Sequence, residues 1–244
     1  MITGKNYIGS VLSSLGSKTF KTFNPQTNSE NEPLFSEASS VEIDQAVSLA
    51  AKAFETYKTI SGVQKALFLR TIADEIEALS DELINTYCSE TGLPAGRAQG
   101  ERGRTTSQLR SFAQLLEEGN WVEAAIDTED ADRQPMAKPD IRKLLTPLGP
   151  VVVFGASNFP LAYSTAGGDT AAALAAGCPV IVKSHPMHAG TGELVASAIV
   201  KAIEKTDMPY GIFSNLNSSG IEVGVALVQH PNVKAVGFTG SING

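Results

Sequence analysis

Two short apolar runs in the middle of the chain, 151–154 and 180–182, are rich in β-branched residues and enclose an alanine-rich segment, 165–176, which stops at Gly177. The two runs have the length and composition of buried strands, and the segment between them is long enough for about three turns of helix. Parallel neighbouring strands need a helical crossover of this kind, and strands covered on both faces are continuously apolar. The stretch therefore predicts a β-α-β unit.

The same alternation continues after this unit. The apolar spacing predicts a helix over 191–205, a strand over 211–216, a helix over 220–229 and a strand over 233–238. Strands that alternate with helices are typical of a parallel sheet with helices on both faces. We therefore predict an α/β fold with a doubly wound parallel, Rossmann-like sheet.

The first part of the chain is predicted to contain short strands and then helices. The strands are expected over 7–12 and 19–23. Ser39 and Glu42 have the spacing of a capping box, and Ser80 is predicted to cap a later helix. Four helices are predicted, one after Ser39, one from residue 64, one over 81–91 and one over 97–116.

The composition changes between the predicted helices of the first part of the chain and the β-α-β region. Residues 126–138 are acidic and then loose, and 140–146 can form a strand, so we predict a linker and oligomerisation arm over 126–147. Residues 1–125 are then the N-terminal helical part of a cofactor-binding domain, and 148–244 are its Rossmann-like core. The unpaired edge of the arm predicts pairing with a second copy.

Charge and composition narrow the classes of function. A net charge of −7 for 244 residues argues against a nucleic-acid partner. No apolar run approaches the roughly 20 residues of a membrane span, and the N-terminus lacks a signal-peptide core, so we predict a cytoplasmic chain without membrane partners. Cys88 and Cys178 have no metal-ligand spacing with each other or with the three histidines, which predicts no metal site.

Polar residues follow the two central strands. Ser157 and Asn158 come after the first strand, and Lys183, Ser184 and His185 follow the second. Ligands of open α/β sheets bind beyond the carboxyl ends of the strands, so this is the predicted site. An asparagine here could donate to an oxyanion or only to the turn, and a lysine could bind a ligand or only extend into solvent.

Two glycine-containing segments could bind a phosphate. Ser218, Ser219 and Gly220 begin a predicted helix, with Gly224 one turn later, where backbone N–H groups favour an anion. Glycine and serine also begin many helices that bind nothing. The second segment directly follows a predicted strand and consists of Phe238, Thr239, Gly240 and Ser241.

Taken together, these motifs resemble the NAD(P)-dependent aldehyde dehydrogenase superfamily in order and spacing, over nearly the whole chain. The motifs are Asn158-Phe159-Pro160, Pro179-Val180-Ile181-Val182-Lys183, the glycine pair Gly220 and Gly224, and Gly237-Phe238-Thr239-Gly240-Ser241. Within the superfamily, the segments 90–94, 97–101, 104–105 and 108–110 resemble the branch that oxidises 2-oxoglutarate semialdehyde (2,5-dioxovalerate).

The resemblance implies a role for each matching residue. Asn158 would be catalytic and would hold the aldehyde oxygen as it becomes an oxyanion, Lys183 would contact the adenosine ribose, and Ser241 with its neighbours the pyrophosphate. Pro186 stands where members that prefer NAD usually have a glutamate, which implies that NADP is accepted as well as NAD. The implied cofactor-binding residues are Ser157, Lys183, Ser184, His185, Pro186, Gly220, Gly224, Phe238, Thr239, Gly240 and Ser241.

The implied reaction is the oxidation of a small aldehyde to its acid through a cysteine thioester, in a homodimer or homotetramer. The family's nucleophilic cysteine and general-base glutamate would lie beyond Gly244, and neither Cys88 nor Cys178 matches the nucleophile. We therefore expect this chain alone to be inactive. Three alternatives are a fatty or other aliphatic aldehyde dehydrogenase, a truncated non-catalytic dinucleotide-binding module, and an unrelated doubly wound protein that binds another phosphate ester.

Overall fold

The computed structural model describes residues 2–240, which form short strands and longer helices. The strands are β1 (Asn6–Ile8), β2 (Val11–Ser13), β3 (Thr19–Asn24), β4 (Ser29–Ser36), β5 (Ala125–Asp127), β6 (Ile141–Lys143), β7 (Val151–Phe154), β8 (Val180–Lys183), β9 (Phe213–Leu216) and β10 (Ala235–Phe238). The α-helices are α1 (Ser40–Tyr57), α2 (Gly62–Ala78), α3 (Ser80–Thr91), α4 (Ala95–Glu118), α5 (Gly168–Ala176), α6 (Ala189–Lys205) and α7 (Glu222–Gln229).

The central sheet has the order β10-β7-β8-β9-β1-β2. The strands from β10 to β9 are parallel, as the β-α-β pattern predicts, and their apolar residues are paired in register, for example Val152 with Ile181. The α/β fold class is therefore confirmed. The sheet as a whole is mixed, because β1 runs antiparallel to β9 and β2 antiparallel to β1.

The prediction of one strand over 7–12 is wrong. The segment turns back on itself, and β1 and β2 pair as a tight hairpin with Ile8 opposite Val11. Gly9, at the turn, has a φ of +60°, a conformation that glycine adopts without strain. The other early strand pairs with β4, which the sequence analysis did not identify.

The capping box before α1 is confirmed. The backbone N–H of Glu42 donates to Ser39 Oγ at 3.3 Å, and the backbone N–H of Ser39 donates to Glu42 Oε2 at 2.8 Å. The predicted cap at Ser80 is wrong, because Leu79 precedes α3 and no side-chain cap bond forms. The connection between α2 and α3 is too short for a separate cap, and Ser80 itself has a φ of +48°.

Helices cover both faces of the parallel strands. Alternate strand residues such as Val151 and Val153 face a core shared with α2, α3, α4, α5 and α6. The intervening residues such as Val152 and Ile181 face a smaller core with α1 and α7. Alternation of side chains across a strand explains why continuous apolar runs serve two cores.

The arm is an exposed hairpin of β5 and β6, in which Ala125 pairs with Lys143 and Asp127 with Ile141. The strand predicted over 140–146 is shorter than expected and ends at Lys143. The residues after Lys143 have no strand partner within residues 2–240, because β5 supplies only three positions.

Two helices begin later than the sequence pattern suggests. The helix predicted from residue 165 begins at Gly168, and the one predicted from Gly220 begins at Glu222. Residues 218–220 therefore form a loop between β9 and α7. The carboxyl ends of the parallel strands lie at one edge, since Phe154 is paired with both Lys183 and Phe238.

Candidate functional site

The edge formed by the carboxyl ends of β7, β8, β9 and β10 brings Lys183 to the loop after β9. Its ammonium donates to the carbonyl oxygen of Ser218, with Nζ and O 3.4 Å apart. Burial lowers the pKa of Lys183, and the nearby carboxylate of Glu37 opposes that shift. The lysine is thus a partly buried cation at the predicted ligand crevice.

The loop 218–220 is held by its own hydroxyls and by an acid that the sequence analysis missed. Ser218 Oγ donates to the carbonyl oxygen of Gly220 at 2.9 Å. The carboxylate of Glu37 accepts from the Ser219 hydroxyl and from its backbone N–H, the latter at 3.2 Å. No local motif identifies Glu37, because its partner is far away along the chain.

Gly224 and Phe238 meet at the ring of Phe154. A methyl group at position 224 would come within 2.9 Å of this ring, so the close approach of α7 to β7 requires glycine. The ring of Phe238 packs edge-on against that of Phe154, with centroids 5.5 Å apart. Thr239 and Gly240 follow and are exposed, whereas Ser241 lies outside the described residues.

Ser184 and His185, which follow Lys183, have different surroundings from the lysine. Ser184 is 1% exposed, and a methyl group at Gly192 of α6 would come within 2.9 Å of its Oγ, so its hydroxyl lies under α6. His185 stacks on His188 with ring centroids 5.2 Å apart, and its Nδ1 accepts from the backbone N–H of Met187. Burial lowers the pKa of His185 to about 4, helped by His188 and Lys183. His185 is therefore uncharged at neutral pH.

The turn after β7 exposes Ser157 and Asn158 at the same edge. Glu101 of α4 holds the turn, because its Oε1 accepts from the backbone N–H of Leu161 at 2.8 Å and of Ala162 at 3.0 Å. Its Oε2 accepts from the hydroxyl of Tyr87 at 2.8 Å. A buried carboxylate is stable when donors of this kind surround it.

Two arginines of α4 lie against the aromatic residues of this turn. The guanidinium carbon of Arg97 is 4.9 Å from the ring centroid of Phe159, and that of Arg104 is 5.0 Å from the ring centroid of Tyr163. Arg97 Nη2 is 3.5 Å from the carbonyl oxygen of Asn158. A positively charged wall therefore adjoins the predicted catalytic residue, and no signal in the sequence indicated that these arginines lie beside Asn158.

The cysteines lie elsewhere. Cys178 is 4% exposed and lies two residues before the start of β8, so it lies at the amino ends of the strands, opposite to Asn158. Cys88 lies within α3 and packs against the larger core. Neither thiol is at the carboxyl edge where Asn158 and Lys183 lie.

The donor set at the carboxyl edge fits a phosphate-containing nucleotide. It combines the ammonium of Lys183 with the exposed backbone at Gly240. The loop ahead of α7, whose serine hydroxyls donate to Gly220 and Glu37, lies beside them. The carboxylate of Glu222, the first residue of α7, lies against Gly220 at this surface. Within residues 2–240, no group of three or more potential metal-ligating side chains occurs, and no helix there is long and apolar enough to cross a membrane.

Comparison with known proteins agrees with this arrangement. The family model described as "Aldehyde dehydrogenase family" matches residues 12–243. The chain belongs to the aldehyde dehydrogenase family. It is 50% identical over 244 residues to alpha-ketoglutaric semialdehyde dehydrogenase 2 of Azospirillum brasilense and 47% identical over 241 residues to alpha-ketoglutaric semialdehyde dehydrogenase of Acinetobacter baylyi. These matches cover 100% and 99% of this chain but only 46% and 45% of the relatives.

Solved structures share the fold. A NAD-dependent benzaldehyde dehydrogenase from Corynebacterium glutamicum has a TM-score of 0.83 at 23% identity, over 100% of this chain and 50% of that chain. A mutant of 1-pyrroline-5-carboxylate dehydrogenase from Thermus thermophilus has a TM-score of 0.81 at 24% identity, over 95% of this chain and 42% of that chain. The chain therefore corresponds to about half of each of the relatives named here.

The role of Glu101 in holding the Asn158 turn can be tested with two variants. We expect Glu101→Ala to lower the free energy of unfolding by about 2–3 kcal/mol, because three buried donors lose their acceptor. Glu101→Gln keeps an acceptor for the two backbone N–H groups and is expected to lose less than about 1 kcal/mol. Urea unfolding of the three proteins measures this, and equal losses in both variants would contradict the assigned role.

Proposed function

We propose that this chain supplies the dinucleotide cleft and the oxyanion-binding asparagine of an enzyme that oxidises 2-oxoglutarate semialdehyde to 2-oxoglutarate with NAD(P)+. The single observation that carries the proposal is the meeting of Lys183, the 218–220 loop and the Asn158 turn at one edge of the sheet. The relatives' names support the substrate. They do not favour a fatty-aldehyde substrate or a non-catalytic module.

Asn158 would act on the substrate directly. Its side chain lies at an exposed turn, where the amide can donate to the aldehyde oxygen as negative charge develops on it. Bound NAD(P)+ supplies the hydride acceptor. Because Cys88 and Cys178 are both remote from Asn158, the thiolate that attacks the aldehyde would come from another part of the protein, and this chain alone is expected to be inactive.

The choice of cofactor is proposed from the turn after β8. Pro186 begins a short 3₁₀ turn, Pro186–His188, three residues after Lys183. A proline carries no charge, so it does not repel the 2′-phosphate of NADP as a carboxylate would. We therefore expect NADP+ to bind at least as tightly as NAD+. The domain limits of 1–125, 126–147 and 148–244, and a cytoplasmic location, stay predictions from the sequence.

The dinucleotide cleft is tested by removing its cation. We expect Lys183→Ala to raise the dissociation constant of NADP+ about tenfold, because one charge-assisted hydrogen bond to the nucleotide is lost. Lys201→Ala changes an exposed lysine of α6 and serves as the control. Titration calorimetry measures the dissociation constant of NADP+ for both variants. Unchanged binding in Lys183→Ala would place the nucleotide elsewhere.

A second variant tests the cofactor choice. Pro186→Glu introduces a carboxylate three residues after Lys183. This carboxylate should weaken the binding of NADP+, because it repels the 2′-phosphate, and it can accept hydrogen bonds from the ribose hydroxyls of NAD+. We expect the ratio of the two dissociation constants to shift toward NAD+ by about tenfold or more. Pro186→Gln, which has the same reach without charge, is the matched control. A shift of the same size in both variants would rule out a charge effect.

The exposed arm is proposed to pair with a second copy of the chain. Its surface carries several exposed apolar side chains, Ile126, Met136, Ile141, Leu144 and Leu145. Burial of such side chains in a dimer or tetramer removes them from water. We expect Ile126→Asp with Ile141→Asp to lower the molar mass measured by light scattering to that of a monomer. An unchanged mass, or a wild-type protein that is itself monomeric, would contradict this proposal.

A further inference from the structure

Arg97 and Arg104 form an arginine pair on α4 that faces the turn containing Asn158. They are seven residues apart and therefore lie on the same side of the helix, two turns from each other. The guanidinium carbons of both lie over the ring of Phe159, at 4.9 and 5.9 Å from its centroid. Arg104 Nη2 also donates to the hydroxyl of Tyr163 at 2.7 Å. The aromatic residues hold the cations in place.

The charge of this arginine pair is poorly compensated. Arg70, Arg110 and Arg142 each form an ion pair of 3.0 Å or less with a carboxylate. Arg104 has no ion pair of this kind within residues 2–240. In the same part of the chain, the carboxylate paired with Arg97 is that of Glu101, at 3.8 Å, which is too long for a hydrogen bond.

Glu101 also has little capacity left for Arg97. Its two oxygens already accept from the backbone of 161–162 and from Tyr87. Both arginines are exposed, and a guanidinium presents five donors, of which Arg104 uses one on Tyr163. The pair therefore offers free donors and net positive charge beside the proposed reaction site, in a chain whose net charge is −7.

The space between the two cations is open. Gly100 lies between them on the same side of α4, and a methyl group there would have no neighbour within 4 Å. Glycine within a helix is unfavourable compared with alanine, and no packing contact in the described residues requires it here. The absence of a side chain at Gly100 leaves room for a small ligand against the helix.

We propose that Arg104, together with Arg97, binds the carboxylate of the aldehyde substrate. A planar guanidinium matches a carboxylate with two parallel hydrogen bonds, and the stacked aromatic rings fix its orientation. Since Asn158 is joined to Phe159, a carboxylate on the arginines lies beside the group that would receive the aldehyde oxygen. This inference rests on the proposed function and extends it, because it makes the enzyme selective for aldehydes with an acidic far end.

The test uses the whole protein that carries this chain and two non-reacting probes. 2-Oxovalerate has the carboxylate and oxo group of the proposed substrate with a methyl group in place of the aldehyde, and pentan-2-one lacks the carboxylate. We expect 2-oxovalerate to bind, more weakly at high salt, and pentan-2-one to bind at least about tenfold less tightly. Arg104→Gln is expected to raise the dissociation constant of 2-oxovalerate by about tenfold or more. Arg97→Gln and Arg104→Lys are each expected to raise it by a smaller factor than Arg104→Gln.

Arg102→Gln is the matched control, because Arg102 lies on the same helix but points to the carbonyl oxygen of Ser80. It should leave 2-oxovalerate binding unchanged. NADP+ binding, measured on every variant, reports folding and the proposed cleft separately. Two results would overturn the carboxylate site alone, provided that NADP+ binding is normal. One is that the wild type does not bind 2-oxovalerate, and the other is that Arg104→Gln and Arg102→Gln bind it equally well. A wild-type protein that does not bind NADP+ would instead overturn the proposed function.

Discussion

Buried carboxylates that accept backbone N–H groups tie the N-terminal helices to the sheet. Glu101 of α4 holds the turn at 161–162, Glu90 of α3 accepts from the first backbone N–H groups of α6, and Glu193 of α6 accepts from the N-terminal segment. Each contact satisfies a buried charge and a backbone donor together. Burial raises the pKa of Glu90 to about 7, and the hydrogen bonds from Gly190 and Thr191 oppose this shift. The contacts of Glu101 and Glu90 hold the segments that follow β7 and β8.

The parts of the fold that could be predicted are those with local signals. The continuous valine runs and the alanine-rich crossover predicted β7, α5 and β8, and the spacing of Ser39 and Glu42 predicted the start of α1. The antiparallel addition of β1 to β9 joins residues that are about two hundred positions apart, so no local pattern could reveal it. Ser80 had the composition of a cap, but the tight junction of α2 and α3 prevented it from acting as one.

The residues of the candidate site likewise include some that had a local signal in the sequence and some that had none. Lys183 and Asn158 were predictable because polar residues directly follow apolar strands, and the structure places both at the carboxyl edge. Glu37, Arg97 and Arg104 were not, because each reaches the site from a segment at least fifty residues away along the chain. Lys183 lies on the part of the edge proposed for a dinucleotide, and α4, which packs against the Asn158 turn, carries the two arginines proposed for an acidic aldehyde.

The most direct test of the central claim, that a dinucleotide occupies the carboxyl edge of the parallel strands, is a crystal structure of the protein with NADP+. The account predicts density for the adenosine ribose at Lys183 and for the pyrophosphate between the 218–220 loop and the end of β10. Nucleotide density at the amino ends of the strands, near Cys178, or on the exposed surface of α4 would contradict it.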